Sequence, residues 1–278
     1  MTQYLHKSWT EEEGIALPAI NALAQTADGY LWLGTGTGLI RFDGMRFVHW
    51  APPEGTQFPD DDVRSLVASA DGSLWIRTAK TISRLDRGRL VRYPEVDRWL
   101  GGRNRAISVD ASGRLYLLRA ANPPEIGAIL PDGGFRVFSQ ADGLPAQRIL
   151  NIFEPNSTGL WIATDDELCQ WRPKHPAECH ASPWGGVLSI SGHGAADWLI
   201  ADASGKSVLG TPGNAVKSNS AGITNVSLLP KLLMLDHDGC IWLGTVGQGL
   251  IRATDGKLER FTRLKGLSSD YIRGILED

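Results

Sequence analysis

The chain has 278 residues, a formal net charge of -3 and a pI near 6.1; with no basic run, this balance argues against a nucleic-acid partner. No stretch approaches the roughly 18 apolar residues that a membrane-spanning helix needs. The N-terminal sequence MTQYLHKSW lacks the apolar core of a signal peptide, so nothing in the chain as given would export it.

The motif D-G-x-L/I-W-L-G-T occurs twice, at Asp28 and at Asp238, which are 210 residues, or five times 42, apart. Weaker copies lie between them, each centred on an aromatic residue, at intervals of 37 to 45 residues. A fixed period of this length indicates a repeat architecture. The six centres are Trp32, Trp75, Tyr116, Trp161, Trp198 and Trp242.

The first repeat predicts four short β-strands. An apolar run over 19–24 is followed by Asp28 and Gly29, two residues that tolerate the positive φ of a tight hairpin turn. The run 30–33 is apolar at every position, so both of its faces should be covered. Two further strands over 39–50 alternate more openly, as strands near solvent do. A four-stranded unit of about 40 to 45 residues is typical of a β-propeller blade.

The recurring residues are assigned structural roles. Each tryptophan would be a large apolar wedge between neighbouring blades, and each Asp-Gly pair would form a hairpin turn. The glycine of W-L-G-T belongs to the same repeated pattern. The structural positions are Asp28, Gly29, Trp32, Gly34, Trp75, Trp161, Asp238, Gly239, Trp242 and Gly244.

The two ends of the chain predict parts of one more blade. Residues 3–9 have the pattern of an outer fourth strand, and residues 266–278 resemble the first strand of a new repeat. A ring commonly closes when strands from both ends share one blade, because this removes exposed sheet edges. The expected fold is therefore all-β: one β-propeller domain over 1–278, with six recognisable four-stranded blades plus parts of a seventh.

The segment WTEEEGIALPAINALAQTADGYLWLGTGTGLIRFDGMRF, residues 9–47, resembles the two-component regulator propeller repeats. The resemblance implies a periplasmic or extracellular seven-bladed propeller that is the sensory half of a membrane receptor. The partners implied are a small-molecule or saccharide ligand and the membrane-anchored output domains of the same parent protein, with a homodimer as a further possibility. The output half would be a histidine kinase, a diguanylate cyclase or a DNA-binding module, and none of their catalytic motifs occurs in this chain.

The cysteine-containing stretch 169–180 allows two interpretations. Cys169, His175, Cys179 and His180 suggest zinc, but their spacing matches no structural zinc module well. A disulfide between Cys169 and Cys179 is favoured if the domain is periplasmic. The third cysteine, Cys240, is interpreted as a small buried hydrophobic residue.

Other patterns that suggest ion or phosphate sites are better explained as turns. The run GTGTG over 34–38 precedes a strand and not the helix that a phosphate-binding loop requires. The acidic clusters at 60–62, 165–167 and 236–238 do not supply the oxygen ligands of a calcium site at defined spacing. No metal and no cofactor are expected.

Two arginines interrupt the repeat and are the candidate ligand-binding residues. Arg77 replaces the glycine of W-x-G-T in the second repeat, and Arg119 takes the threonine position in the third. If their side chains reach the central channel, they would favour an anionic ligand such as an acidic saccharide. Both residues could instead be ordinary surface arginines.

The expected function is the ligand-sensing input domain of a bacterial signalling receptor, without catalytic residues of its own. A constitutive protein-interaction scaffold is the main alternative. A propeller lyase or hydrolase is a further alternative, because fold alone does not determine function.

Overall fold

A computed structural model of the chain describes residues 9, 18–53, 60–101, 104–119, 121–154, 159–181, 187–193, 197–202, 207–210, 230–254 and 257–277. The structure within these ranges is dominated by short antiparallel strands. The strands are β1 Ile20–Gln25, β2 Leu31–Thr35, β3 Gly38–Phe42, β4 Phe47–Trp50, β5 Val63–Ala68, β6 Leu74–Thr78, β7 Ile82–Asp86, β8 Arg89–Arg92, β9 Asn104–Val109, β10 Leu115–Arg119, β11 Glu125–Ile129, β12 Phe135–Phe138, β13 Ile149–Phe153, β14 Leu160–Thr164, β15 Glu167–Trp171, β16 Glu178–Ala181, β17 Val187–His193, β18 Asp197–Asp202, β19 Ser207–Gly210, β20 Pro230–Leu235, β21 Ile241–Thr245, β22 Leu250–Thr254 and β23 Lys257–Phe261.

The strands form a β-propeller with five four-stranded blades. Blades one to four are β1–β4, β5–β8, β9–β12 and β13–β16, and blade five is β20–β23; β17–β19 form a three-stranded sheet between blades four and five in the sequence. Strands within each sheet pair in chain order, and the first strand of each sheet packs beside the first strand of the next. The all-β propeller class is as expected, but the prediction of six four-stranded blades was wrong within the described residues.

The prediction of a partial seventh blade is also wrong within the described residues. Residues 266–277 form no strand and make only a single antiparallel bridge, between Val246 and Tyr271. This segment is instead packed against two blades: a Cβ on Gly244 of blade five would lie 2.9 Å from Cγ2 of Ile272, and a Cβ on Gly274 would lie 2.9 Å from Cδ1 of Leu23 in blade one. The matching N-terminal strand was expected at 3–9, of which 3–8 lie outside the described residues.

The first hairpin of blade one shows how the Asp-Gly pair acts. The N–H of Gly29 donates to the carbonyl of Thr26 at 2.9 Å, and the N–H of Thr26 donates to the carbonyl of Tyr30. Only Gly29 takes a positive φ, of 84°, so the turn places its left-handed residue at glycine and not at Asp28. The Asp28 carboxylate instead accepts a hydrogen bond from the Thr26 hydroxyl.

The repeated aromatic residues lie in the packing between blades. Trp32, Trp75 and Trp161 are buried, and Trp242 is half-buried. Trp75, for example, belongs to a cluster with Leu115 and Leu117 of blade three, so it fills the space between adjacent sheets.

A buried threonine closes the second hairpin in four of the five blades. In blade five the Thr245 hydroxyl donates to the carbonyl of Gly249 at 2.7 Å and accepts a hydrogen bond from the N–H of Gln248. These bonds pair the N–H of Gln248 and add to the backbone bond from the N–H of Thr245 to the Gly249 carbonyl. The equivalent residues in blades one, two and four are Thr35, Thr78 and Thr164.

A short helix, α1 Pro94–Leu100, joins blades two and three and was not predicted from the sequence. Proline at its N-terminus and Gly101 in a left-handed conformation at its C-terminus are favourable end signals. Its buried face carries Val96 and Leu100. Within the described residues, no helix has the length and apolar character needed to cross a membrane.

Candidate functional site

A groove lies where blade four meets the segment 139–147 that enters it from blade three. Its volume is about 550 Å³, within the range of small-molecule sites. One wall is segment 139–147 and the other is the loop 172–177 between β15 and β16. The groove is lined by Gln140, Ala141, Asp142, Gly143, Leu144, Pro145, Gln147, Glu167, Lys174, His175, Pro176, Ala177 and Cys179.

The two walls touch at Gly143. The N–H of Ala177 donates to the carbonyl of Gly143 at 2.9 Å. A Cβ on Gly143 would lie 2.1 Å from the carbonyl oxygen of His175, closer than any side chain permits, and φ of Gly143 is 90°. Glycine at this position therefore allows the close approach that holds the two walls together.

A 3-10 helix and an aromatic contact fix the first wall. Ser139 and Asp142 form a reciprocal capping box around the 3-10 helix Gln140–Asp142, and the backbone N–H of Ser139 donates to the Asp142 carboxylate at 2.9 Å. The indole N–H of buried Trp171 donates to the carbonyl of Asp142 at 3.0 Å, and its ring packs edge-on against Phe138. The wall is thereby anchored to the core of blade four.

A disulfide between Cys169 and Cys179 fixes the second wall. The two cysteines are direct partners on β15 and β16, and their Sγ atoms lie 2.03 Å apart. Cys169 is fully buried, whereas Cys179 lines the groove. The bond therefore ties the strands on either side of loop 172–177.

The disulfide also argues against the zinc interpretation of stretch 169–180. Within the described residues, Glu167, Cys169 and Cys179 are the group whose potential ligand atoms converge, all within 4.8 Å. Bonded cysteines cannot supply the thiolates that zinc requires. His175 and His180 do not join this group.

Opposite charges face the groove without being paired to each other. Glu167 accepts a hydrogen bond from the side-chain amide of Gln147 at 2.9 Å, which links the strand to the entering segment. Lys174 and His175 are exposed, and within the described residues neither forms an ion pair with a carboxylate. Lys174 adopts a left-handed backbone conformation with φ of 70°, which is uncommon outside glycine.

Arg77, the first candidate ligand contact, lies at the C-terminal end of β6 and is half-buried. Its Nε has no hydrogen-bond partner in the described part of the chain. Burial, followed by the nearby Arg64 charge, lowers the pKa of its guanidinium, while Asp62 acts in the opposite direction. Arg77 is thus a desolvated cation, outside the groove.

Arg119, the second candidate, lies at the end of β10 and already has partners. Its guanidinium forms a 2.9 Å ion pair with Glu125 on β11 and lies over the ring of Trp99. It occupies the position of the buried threonines, so blade three has a side-chain ion pair where the other four blades have a threonine hydroxyl bonded to the turn backbone. No residue in the described ranges is bound by both Arg77 and Arg119.

Several groove residues belong to recognisable sequence patterns, but the sequence did not predict that they lie together. Gly143 belongs to the G-L-P element that precedes a first strand, and Cys179 and His175 were noted for other chemistry. Only the three-dimensional packing brings 139–147 against 172–177. Asp236 was likewise assigned to a solvated turn, yet it is buried and accepts hydrogen bonds from the N–H of Cys240 and the indole of Trp242.

Solved structures with the same fold include enzymes and receptor domains. A streptogramin B lyase superposes with a TM-score of 0.68 at 16% identity, covering 88% of this chain and 84% of the lyase. Virginiamycin B lyase from Staphylococcus aureus gives a TM-score of 0.67 at 16% identity, covering 87% and 83%. At these identities the similarity shows the fold alone. No curated protein sequence matches the chain.

Two extracellular domains of hybrid two component systems from B. thetaiotaomicron are also similar. One gives a TM-score of 0.72 at 16% identity and the other 0.71 at 19% identity. They cover 98% and 95% of this chain, which spans only 39% and 36% of their own lengths.

The sequence match that accompanies this structural similarity lies near the N-terminus. The model of the two component regulator propeller family matches residues 14–37, which include the first Asp-Gly turn and Trp32. The resemblance predicted from the sequence is thus confirmed, since residues 14–37 match the two component regulator propeller model.

Proposed function

We propose that the chain is the ligand-sensing input domain of a bacterial signal-transduction receptor and performs no chemistry itself. The observation that carries the proposal is the two component regulator repeat at 14–37, in a fold shared with extracellular domains of hybrid two component systems. A periplasmic location agrees with these neighbours and with a disulfide at Cys169 and Cys179. The output kinase or cyclase would be part of the same parent protein.

The groove between 139–147 and 172–177 is the proposed ligand site. It has the volume of a small-molecule site, and polar groups from two separate elements converge on it. Wall 139–147 leaves β12 of blade three and packs on blade four, so a ligand bound at this junction would favour one relative placement of the two blades. A rigid-body shift of this kind is a recognised way of relaying binding to an output domain or to a second copy in a homodimer.

We also propose Arg77 and Arg119 as ligand contacts, and they differ in the partners that they already have. Arg77 has no counter-ion bonded to it within the described residues, so an anionic group on a larger ligand would find a receptive cation there. Arg119 would first have to release Glu125. Arg77 is therefore the better candidate of the two.

A ligand-dependent melting shift tests the proposal. The chain would be screened against saccharides, organic acids and amino acids, because a ligand that binds only the folded state raises Tm by an amount that grows with the logarithm of its concentration above Kd. Gly143→Ala should abolish the shift by forcing the groove walls apart. Gly133→Ala is the matched control, since φ of Gly133 is 87° but its Cβ would meet no atom within 4 Å. The absence of any shift, or an equal shift in Gly143→Ala, would contradict the proposal.

A lyase activity is the second candidate, because two lyases share the fold over most of their length. The streptogramin substrate named for one of them is a direct probe. Incubation with a streptogramin B, followed by liquid chromatography and mass spectrometry, would reveal a new species if the chain were such an enzyme. The sensory proposal expects the compound to be recovered unchanged.

A further inference from the structure

The residues that line the groove carry charges of both signs. Lys174 and His175 belong to the wall 172–177, Asp142 belongs to the wall 139–147, and Glu167 begins β15, the strand that leads into loop 172–177. All four residues line one cavity, yet no ion pair within the described residues joins a cation to a carboxylate here. The groove therefore presents both signs of charge to whatever occupies it.

Glu167 and Lys174 can both form further hydrogen bonds with a ligand. The Asp142 carboxylate is held by Ser139, and one oxygen of Glu167 is held by Gln147. A carboxylate has about four lone-pair sites, so Glu167 can accept more hydrogen bonds. The Lys174 ammonium has three donors and no partner among the described residues.

An occupant with a single charge would leave part of this arrangement unmatched. A simple anion would pair with Lys174 but lie near the carboxylates of Glu167 and Asp142, and a simple cation would meet the reverse problem. A ligand that carries one charge of each sign can form a charge-assisted hydrogen bond with a lining residue of each sign. Repulsion from the lining charges of like sign would also exclude singly charged competitors.

We infer that the groove binds a small zwitterion of the α-amino-acid class. The ligand carboxylate would contact Lys174 and His175, and the ligand ammonium would contact Glu167. The side chain of the ligand would lie along Leu144 and Pro145, which are buried in the groove wall. This inference rests on the proposed sensory function and specifies its ligand.

Matched derivatives test the requirement for both charges. Binding of the twenty L-α-amino acids to the chain would be measured by thermal shift and then by titration calorimetry. The best binder would be compared with its carboxamide, which lacks the carboxylate charge, and its N-acetyl form, which lacks the ammonium. We expect each derivative to bind at least about tenfold more weakly, which corresponds to about 1.4 kcal/mol.

Two substitutions test which residue binds each charged group of the ligand. Lys174→Gln should remove the preference for the free acid over the carboxamide, and Glu167→Gln should remove the preference for the free amine over the N-acetyl form. Lys80→Gln and Glu95→Gln are controls, because both residues are exposed and lie outside the groove. Both controls should bind as the unmodified chain does.

The results separate this inference from the proposed function. If no amino acid binds but another class of compound gives a shift that Gly143→Ala removes, the zwitterion inference is wrong and the sensory proposal stands. Equal affinity for an amino acid and its two derivatives would also overturn the inference. If no compound of any class gives a shift, both are overturned.

Discussion

Gly34 of blade one approaches Val63 of blade two so closely that a Cβ on Gly34 would lie 2.5 Å from Cγ1 of Val63. The glycine of the repeated W-L-G-T motif therefore permits contact between neighbouring blades. Blade five shows the same relationship between Gly244 and Ile272. In these two blades glycine stands where the next element packs directly onto the second strand.

Gly34→Ala should therefore destabilise the propeller. Overpacking of a close contact typically costs about 1–3 kcal/mol, so we expect Tm to fall by several degrees. Gly36→Ala is the control, because a Cβ at Gly36 would meet nothing within 4 Å and its φ is not in the left-handed region. Equal melting temperatures for the two variants would show that Val63 yields easily.

Thr245→Val should destabilise blade five by removing the two hydrogen bonds that the Thr245 hydroxyl makes in its second hairpin. The substitution preserves shape but leaves the Gly249 carbonyl and the Gln248 N–H without the hydroxyl. The expected loss is about 1–3 kcal/mol of unfolding free energy, measured by denaturant titration. Thr37→Val changes an exposed threonine and should cost much less. Comparable losses at both positions would contradict this role of the buried threonines.

Reduction of the Cys169–Cys179 bond should lower Tm. A cross-link that closes a loop of this size, with a sequence separation of 10, typically contributes about 2–3 kcal/mol. We expect a dithiol reductant to lower the Tm of the unmodified chain and of Cys240→Ala by similar amounts. The Cys169→Ser, Cys179→Ser double variant should melt at a lower temperature and be insensitive to the reductant. Sensitivity that persists in the double variant would assign the effect to another cause.

The contact between His237 and Glu277 should stabilise the fold in a pH-dependent manner. The side-chain hydrogen bond with Glu277, and then the charge of Asp238, raise the pKa of His237 above its ordinary value of 6.5. A raised pKa means that the stabilisation is complete below 6.5 and is lost as pH rises through the folded-state value. The C-terminal segment should therefore be held more firmly at mildly acidic pH.

The difference in Tm between the unmodified chain and His237→Asn measures this effect. We expect the difference to shrink as pH rises from about 6 to about 9. The same comparison in a Glu277→Gln background should show a weaker trend, because the largest cause of the raised pKa of His237 is then removed. A difference that is constant with pH would mean that the charge of His237 does not contribute.

Much of the fold was predictable because each repeat contains local turn and strand signals. Asp28 and Gly29 mark a turn, the run ending at Leu33 marks a strand covered on both faces, and the observed strands of blade one agree with the expected ones to within about two residues. Helix α1 was missed although Pro94 and Gly101 carry recognisable end signals. The helix lies between β8 and β9, outside the repeated aromatic pattern.

The number of complete blades was not predictable for a physical reason. The segment around Ile272 has the sequence of a first strand, but a strand requires a partner with which to pair. In the structure it packs against Gly244 and Leu23 without forming a sheet. The groove was also hidden, because no local pattern indicates that Gly143 will contact the backbone of His175.

A co-elution experiment tests directly whether the chain binds a ligand without changing it. The chain would be incubated with a mixture of saccharides, organic acids and amino acids and separated from free compounds by gel filtration. Mass spectrometry would then identify what remains bound, and what has changed, over several hours. We expect that a compound co-elutes at no more than one per chain, is chemically unchanged, and is lost in Gly143→Ala but not in Gly133→Ala. Conversion of a compound to product, or the absence of any bound compound, would contradict a non-catalytic sensory domain.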